Sequence, residues 1–126
     1  MFKRIDHVEI VTGKLDATLD FYQNILGFKM KERIPMNMGP MQEILFLTLK
    51  DTMIEIISVK DPPPPSGVPF QVGWAGMALE VEDMDQAVSY LRSKGIGMSR
   101  EPVNIGKSKR GEIKDPNGLT IELRQW

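Results

Sequence analysis

The chain repeats itself, and the repeat limits the folds open to it. His7-Val8-Glu9-Ile10-Val11-Thr12 reads as a strand, followed by a helix from Leu15 to Leu26 that closes at Gly27. Gly76-Met77-Ala78-Leu79-Glu80-Val81 reads as a second strand, followed by a helix from Met84 to Lys94 that closes at Gly95. Leu15, Leu19, Tyr22 and Leu26, and then Met84, Ala87, Val88 and Leu91, fall near a 3.6-residue period, so each helix is expected to lay one face on a sheet. Asp83 with Gln86 three positions on fits a capping box, and the glycines fit the left-handed position past a helix end. Three strand-like runs follow each helix: Phe28–Ile34, Glu43–Leu49 and Met53–Val59, then Met98–Pro102, Ser108–Lys114 and Leu119–Arg124. The turn signal Asp115-Pro116-Asn117-Gly118 introduces the last of them.

This order predicts an α+β fold built from two tandem βαβββ modules, residues 1–60 and 70–126, joined by a Pro-rich linker over 61–69. Asp61-Pro62-Pro63-Pro64-Pro65-Ser66-Gly67 is stiff and short of ladder donors, which marks the boundary. About sixty residues make a marginal core, so the halves are expected to form one structural domain.

Composition removes whole classes of function. Lys and Arg number 16 against 17 Asp and Glu, a formal net charge of -1, so nothing favours a polyanion and nucleic acid is not an expected partner. Without cysteine there is no disulfide framework, thiolate zinc site, iron-sulfur cluster or thiol nucleophile. With a single His, a three-His metal site within one chain is excluded. The start shows no apolar run of signal-peptide length, and Ile44-Leu45-Phe46-Leu47, the longest apolar stretch, is far short of the ~20 residues of a membrane span. A soluble, cytoplasmic protein with no membrane partner is the expectation.

Strand alternation turns the repeat into a candidate site, because residues two apart share a face. His7, Glu9 and Val11 form one set, Met53, Glu55 and Ile57 a second, Gly76, Ala78 and Glu80 a third, and Thr120, Glu122 and Arg124 a fourth. The apolar alternates would meet the helices. Glu55, flanked on its own face by Met53 and Ile57, needs a cation if it is buried: a divalent metal, Arg124 or Arg33. His7, Glu55 and Glu122 are the candidate ligand set, with Glu9 and Glu80 read as wall residues. Lys107, Lys109 and Arg110 read as a solvated loop or as an anion clamp. Pro35 to Met41 is a Met-rich loop, a lid or plain packing.

The paired modules, Ile5-Asp6-His7-Val8, Phe21-Tyr22 with Leu26-Gly27-Phe28, Ile54-Glu55-Ile56, and Asp115-Pro116-Asn117-Gly118-Leu119-Thr120-Ile121-Glu122 resemble the vicinal oxygen chelate superfamily over essentially the whole chain. Within it they are most similar to the glyoxalase I, methylmalonyl-CoA epimerase and bleomycin-resistance group. The resemblance implies half-barrel sheets curled around a cleft with helices outside, and His7, Glu55 and Glu122 at metal-ligand positions. Gly76 stands where those enzymes have a second His. It implies further a divalent metal (Ni, Co, Zn, Mn or Fe), proton movement beside a metal-polarised carbonyl of a small substrate, and Glu122 or Glu55 as the base. Trp74, Gly76, Ala78 and Arg124 would line the substrate site. A homodimer is implied too, in which His7 and Glu55 of one chain would meet Glu122 of the other if modules pair between subunits. The alternative is a metal-free binding protein that sequesters a ligand, as bleomycin-resistance proteins do.

Overall fold

In both halves the first strand pairs in parallel with the last, which a simple meander cannot do. The computed structural model describes residues 1–126. Strand β1 (Val8–Thr12) leads to a short helix α1 (Leu15–Leu19), a wider helical turn (Asp20–Ile25), and strands β2 (Lys29–Met38), β3 (Met41–Leu49) and β4 (Thr52–Val59). The second half runs β5 (Met77–Glu80), α2 (Met84–Ser93), β6 (Arg100–Ile105), β7 (Ser108–Lys114) and β8 (Thr120–Gln125). The two sheets have orders β1-β4-β3-β2 and β5-β8-β7-β6, the same topology twice. The fold is mixed α+β with two four-stranded sheets, and the chain divides into compact units Met1–Pro64 and Pro65–Trp126.

The first core forms where the helical segment covers its sheet. Ile10, Phe21, Tyr22, Phe28, Leu45, Leu47, Ile54 and Ile56 are buried. Phe21 and Tyr22 are neighbours in sequence, yet both point inward. The wider turn explains this: Leu26 N–H bonds to the Phe21 carbonyl at 3.0 Å, five residues back, so one extra residue is accommodated and both rings swing to the sheet. Edge-to-face contacts of Tyr22 with Phe21 and Phe28 follow, at centroid distances of 5.1 and 5.8 Å. Thr12 and Thr18 pair their hydroxyls at 2.9 Å, which ties β1 to α1.

In the second unit Met84, Val88 and Leu91 of α2 are buried together with Ile113, Ile121 and Leu123. The Asp83 carboxylate accepts from Gln86 N–H at 2.9 Å and caps α2 as expected. Asp83→Ala is expected to cost about 1 kcal/mol, read as a small fall in the denaturant midpoint of this protein.

Three expectations shift. The Met-rich segment is not a loop: β2 continues to Met38, and Met38 pairs with Met41 across the Gly39-Pro40 turn. Strand β6 begins two residues later than expected. A tight turn at Gly106-Lys107, with Gly106 at φ 60°, pairs Ile105 with Ser108 and so fixes the register from the hairpin end. Val8, expected on the helix side, is exposed while Ile10 is buried.

Candidate metal-binding group and arginine-carboxylate network

The parallel register of β1 on β4 sets Glu9 directly beside Glu55. His7, two residues before Glu9, projects from the same face. His7 Nε2 lies 3.0 Å from Glu55 Oε2 and 3.6 Å from Glu9 Oε1. Glu55 is buried, Glu9 exposed, and Phe46, the β3 neighbour of Glu55, packs edge-on against the imidazole with centroids 5.6 Å apart. Glu55 therefore finds its cationic partner in His7, while Arg33 is bidentate to Glu43 at 2.7 Å.

His7 Nδ1 is 2.8 Å from Asp6 Oδ2. That bond places a proton on Nδ1 and leaves Nε2 facing two carboxylates, an arrangement that needs a cation on Nε2, either a proton or a metal ion. The imidazole is accordingly held above its ordinary range. The Asp6 hydrogen bond is the main cause, partly offset by desolvation and reinforced by the charges of Glu55 and Asp6.

The donor set suits a divalent ion. One ligand atom from each of His7, Glu9 and Glu55 lies within 4.8 Å of the others. Metal–ligand bonds of 2.0–2.2 Å in a tetrahedron space ligands about 3.4 Å apart, so the group converges on a metal without large rearrangement. Two carboxylates and an imidazole accept Mn, Fe, Co, Ni or Zn alike. The carboxylate oriented behind the imidazole is the usual support for a metal-binding His.

Glu9 is the residue that strand alternation alone left as a wall. The signal that would have found it is the register: once β1 pairs with β4, Glu9 is the cross-strand neighbour of Glu55.

Glu122 belongs to the second unit and is engaged there. Arg110 Nε donates to its Oε2 at 2.6 Å, and Arg124 Nε donates to its Oε1 at 2.8 Å, with Nη2 at 2.6 Å. Burial raises the Glu122 pKa, but the hydrogen bonds and charges of the two arginines outweigh it and hold the carboxyl below its usual range. Stability from these bonds is therefore present above the unfolded value near 4.5 and lost as pH falls through the lower folded value.

Asp115 fixes the turn that leads into β8, the strand carrying Glu122. Its buried carboxylate accepts from the N–H groups of Asn117 and Leu119 at 2.8 and 2.9 Å. Ala78 is the cross-strand neighbour of Glu122 on β5. Gly76 is more than a missing imidazole: a Cβ there would lie 2.6 Å from the Thr120 carbonyl oxygen, so the backbone itself excludes a side chain. Trp74 is fully exposed.

No helix is long and apolar enough to cross a membrane. Residues 4–123 match the family described as the glyoxalase/bleomycin resistance protein/dioxygenase superfamily. Human mitochondrial methylmalonyl-CoA epimerase is 30% identical over 130 residues, 97% of this chain and 73% of that protein. A lactoylglutathione lyase of Arabidopsis thaliana is 29% identical over 135 residues, 98% of this chain but only 44% of the plant protein, so the chain spans less than half of that relative. The crystal structure of a glyoxalase family protein from Enterococcus faecalis superposes with a TM-score of 0.85 at 28% identity, covering 98% of both chains. On the family match over nearly its whole length, the chain belongs to the glyoxalase/bleomycin resistance protein/dioxygenase superfamily.

Proposed function

We propose that this chain is a metal-dependent enzyme of the glyoxalase and epimerase kind, moving a proton on the carbon next to a carbonyl of a small substrate. The observation that carries the reading is the convergence of His7 Nε2 with the Glu9 and Glu55 carboxylates, backed by Asp6 on the other ring nitrogen. A divalent ion held by these three residues would supply Lewis-acid polarisation of the carbonyl.

The protein's own groups supply the rest. Asp6 fixes the imidazole orientation, and Phe46 walls it on one side. Glu55 is assigned the proton: its Oε2 lies 3.0 Å from His7 Nε2, and no arginine or lysine pairs with the carboxylate. Glu122, the other base expected from the resemblance, is a weaker proton acceptor in the grip of Arg110 and Arg124. The relatives' names point to a substrate class. Methylmalonyl-CoA and lactoylglutathione are both thioesters, with a C–H beside the thioester carbonyl.

The test is solvent-deuterium incorporation into a branched acyl-CoA and into S-lactoylglutathione, followed by NMR with metal-loaded and metal-stripped protein. Exchange that needs the metal and disappears in Glu55→Gln is the expected result. Exchange at equal rate in stripped protein would defeat the reading, and chelator-insensitive ligand binding with no exchange would make the chain a sequestering protein instead.

Metal affinity should also follow the His7 proton. Because the imidazole is held above 6.5, the proton competes with metal from a pH above that value, and Kd should rise about tenfold per unit as pH falls below it. Calorimetric titration with Mn(II) or Zn(II) between pH 5.5 and 8.5 reads this. A flat profile would mean that Nε2 is not a ligand.

A further inference from the structure

The site-bearing face of the second sheet holds more positive charge than its carboxylates neutralise. In the β7–β8 pairing Arg110 stands directly opposite Arg124, and Glu112 directly opposite Glu122. Like charges so placed repel, and here the two guanidiniums share the one carboxylate of Glu122. Glu112 is buried and lies 3.5 Å from Arg110, 3.6 Å from Lys114 and 3.8 Å from Arg100, and it also accepts from the Ser99 hydroxyl at 3.1 Å. Arg100, Arg110, Lys114 and Arg124 thus surround only Glu112 and Glu122. Glu80, opposite Arg124 on β5, forms no ion pair with it.

The two arginines differ in what they have left. Arg124 is used on all sides: Nη1 donates to the Ser108 hydroxyl at 2.9 Å, the rest binds Glu122, and the guanidinium lies 5.1 Å over the Trp126 ring. Arg110 is fixed by Glu122 and Glu112, yet its Nη1 has no acceptor in the protein, on a side chain only 25% exposed. A guanidinium held in place with one edge open has given up its rotamer freedom before a ligand arrives.

We propose that the β7–β8 face is a binding site for a small oxyanion, a carboxylate or a phosphate group, received on the open edge of Arg110. Glu122 acts as the internal counter-ion that aims Arg110 and Arg124, and an incoming oxyanion shares the guanidinium charge with it. The proposal is argued from residues of the second unit alone and does not rest on the proposed metal chemistry.

The experiment titrates metal-stripped protein, with chelator present, against inorganic phosphate and separately against malonate. The readout is the arginine Nε–H signals in proton–nitrogen NMR. Saturable shifts of the Arg110 signal are expected, with phosphate alone, malonate alone or both identifying the oxyanion. Arg110→Met should weaken binding at least about tenfold. Glu122→Gln removes the internal competitor and should tighten it by about the same factor. Lys107→Ala should leave it unchanged, and Arg110→Lys, which keeps the charge but not the fork, should bind at an intermediate level. Circular dichroism of each variant verifies the fold. Absence of saturable shifts to tens of millimolar, binding undiminished in folded Arg110→Met, or binding weakened by Glu122→Gln would overturn the proposal and leave an internal ion-pair network only.

Discussion

Replacing Tyr22 with alanine is expected to cost about 3–5 kcal/mol of stability. The ring is fully buried and sits between Phe21 and Phe28 in edge-to-face contact. Its removal forfeits the transfer free energy of an aromatic side chain and leaves a cavity beside Phe21 and Phe28. The unit it belongs to comprises Met1–Pro64, and domains of that size shift by roughly 4–8 °C per kcal/mol, so the melting transition should fall by more than about 12 °C. A thermal melt followed by circular dichroism reads this directly. A fall of only a degree or two would mean that the wider helical turn does not seat both aromatic rings in the core.

His7→Ala carries the second large effect, on metal affinity rather than on the fold. His7 is partly exposed and packs only its edge on Phe46, so its loss should leave the secondary structure intact. It removes the only nitrogen ligand of the proposed group. Loss of an outer-shell partner typically costs 10–100-fold in metal affinity, so loss of the ligand itself should cost more than about 100-fold. Asp6→Asn, which weakens only the support on Nδ1, should fall within that outer-shell range. Competition with a chromophoric chelator resolves both values. Equal losses in the two variants would place Asp6 among the ligands and not behind one.

Much of this architecture is legible from alternation and repeat alone. The eight strands, the cap at Asp83 and the turn at Asp115 follow from local chemistry, which acts between residues close in sequence. What local chemistry does not carry is which strands become neighbours. Glu9 looks like a solvated wall residue until β1 lies parallel to β4 and the register sets it beside Glu55. Arg110 reads as part of a basic loop with Lys107 and Lys109. Strand alternation puts Arg110 on one face with Glu112 and Lys109 on the other, but only the β7–β8 register sets Arg110 opposite Arg124 and Glu112 opposite Glu122. The burial of Phe21 beside Tyr22 is hidden for a different reason, since a 3.6-residue period assigns one of two adjacent residues outward, and the extra residue in the helical turn overrides it. Gly76 shows the converse: the residue type is plain in the sequence, but the close approach of the Thr120 carbonyl that requires glycine there appears only in the folded strand pair.

Metal stoichiometry decides whether His7, Glu9 and Glu55 form a metal site. Protein would be stripped, re-exposed separately to Ni, Co, Zn, Mn and Fe(II), desalted and measured by plasma mass spectrometry, alongside His7→Ala, Glu55→Gln and Glu122→Gln. About one ion per chain is expected in the unaltered protein and in Glu122→Gln, and almost none in His7→Ala or Glu55→Gln. Metal that survives His7→Ala, or an unaltered protein that retains no ion at all, would contradict that assignment.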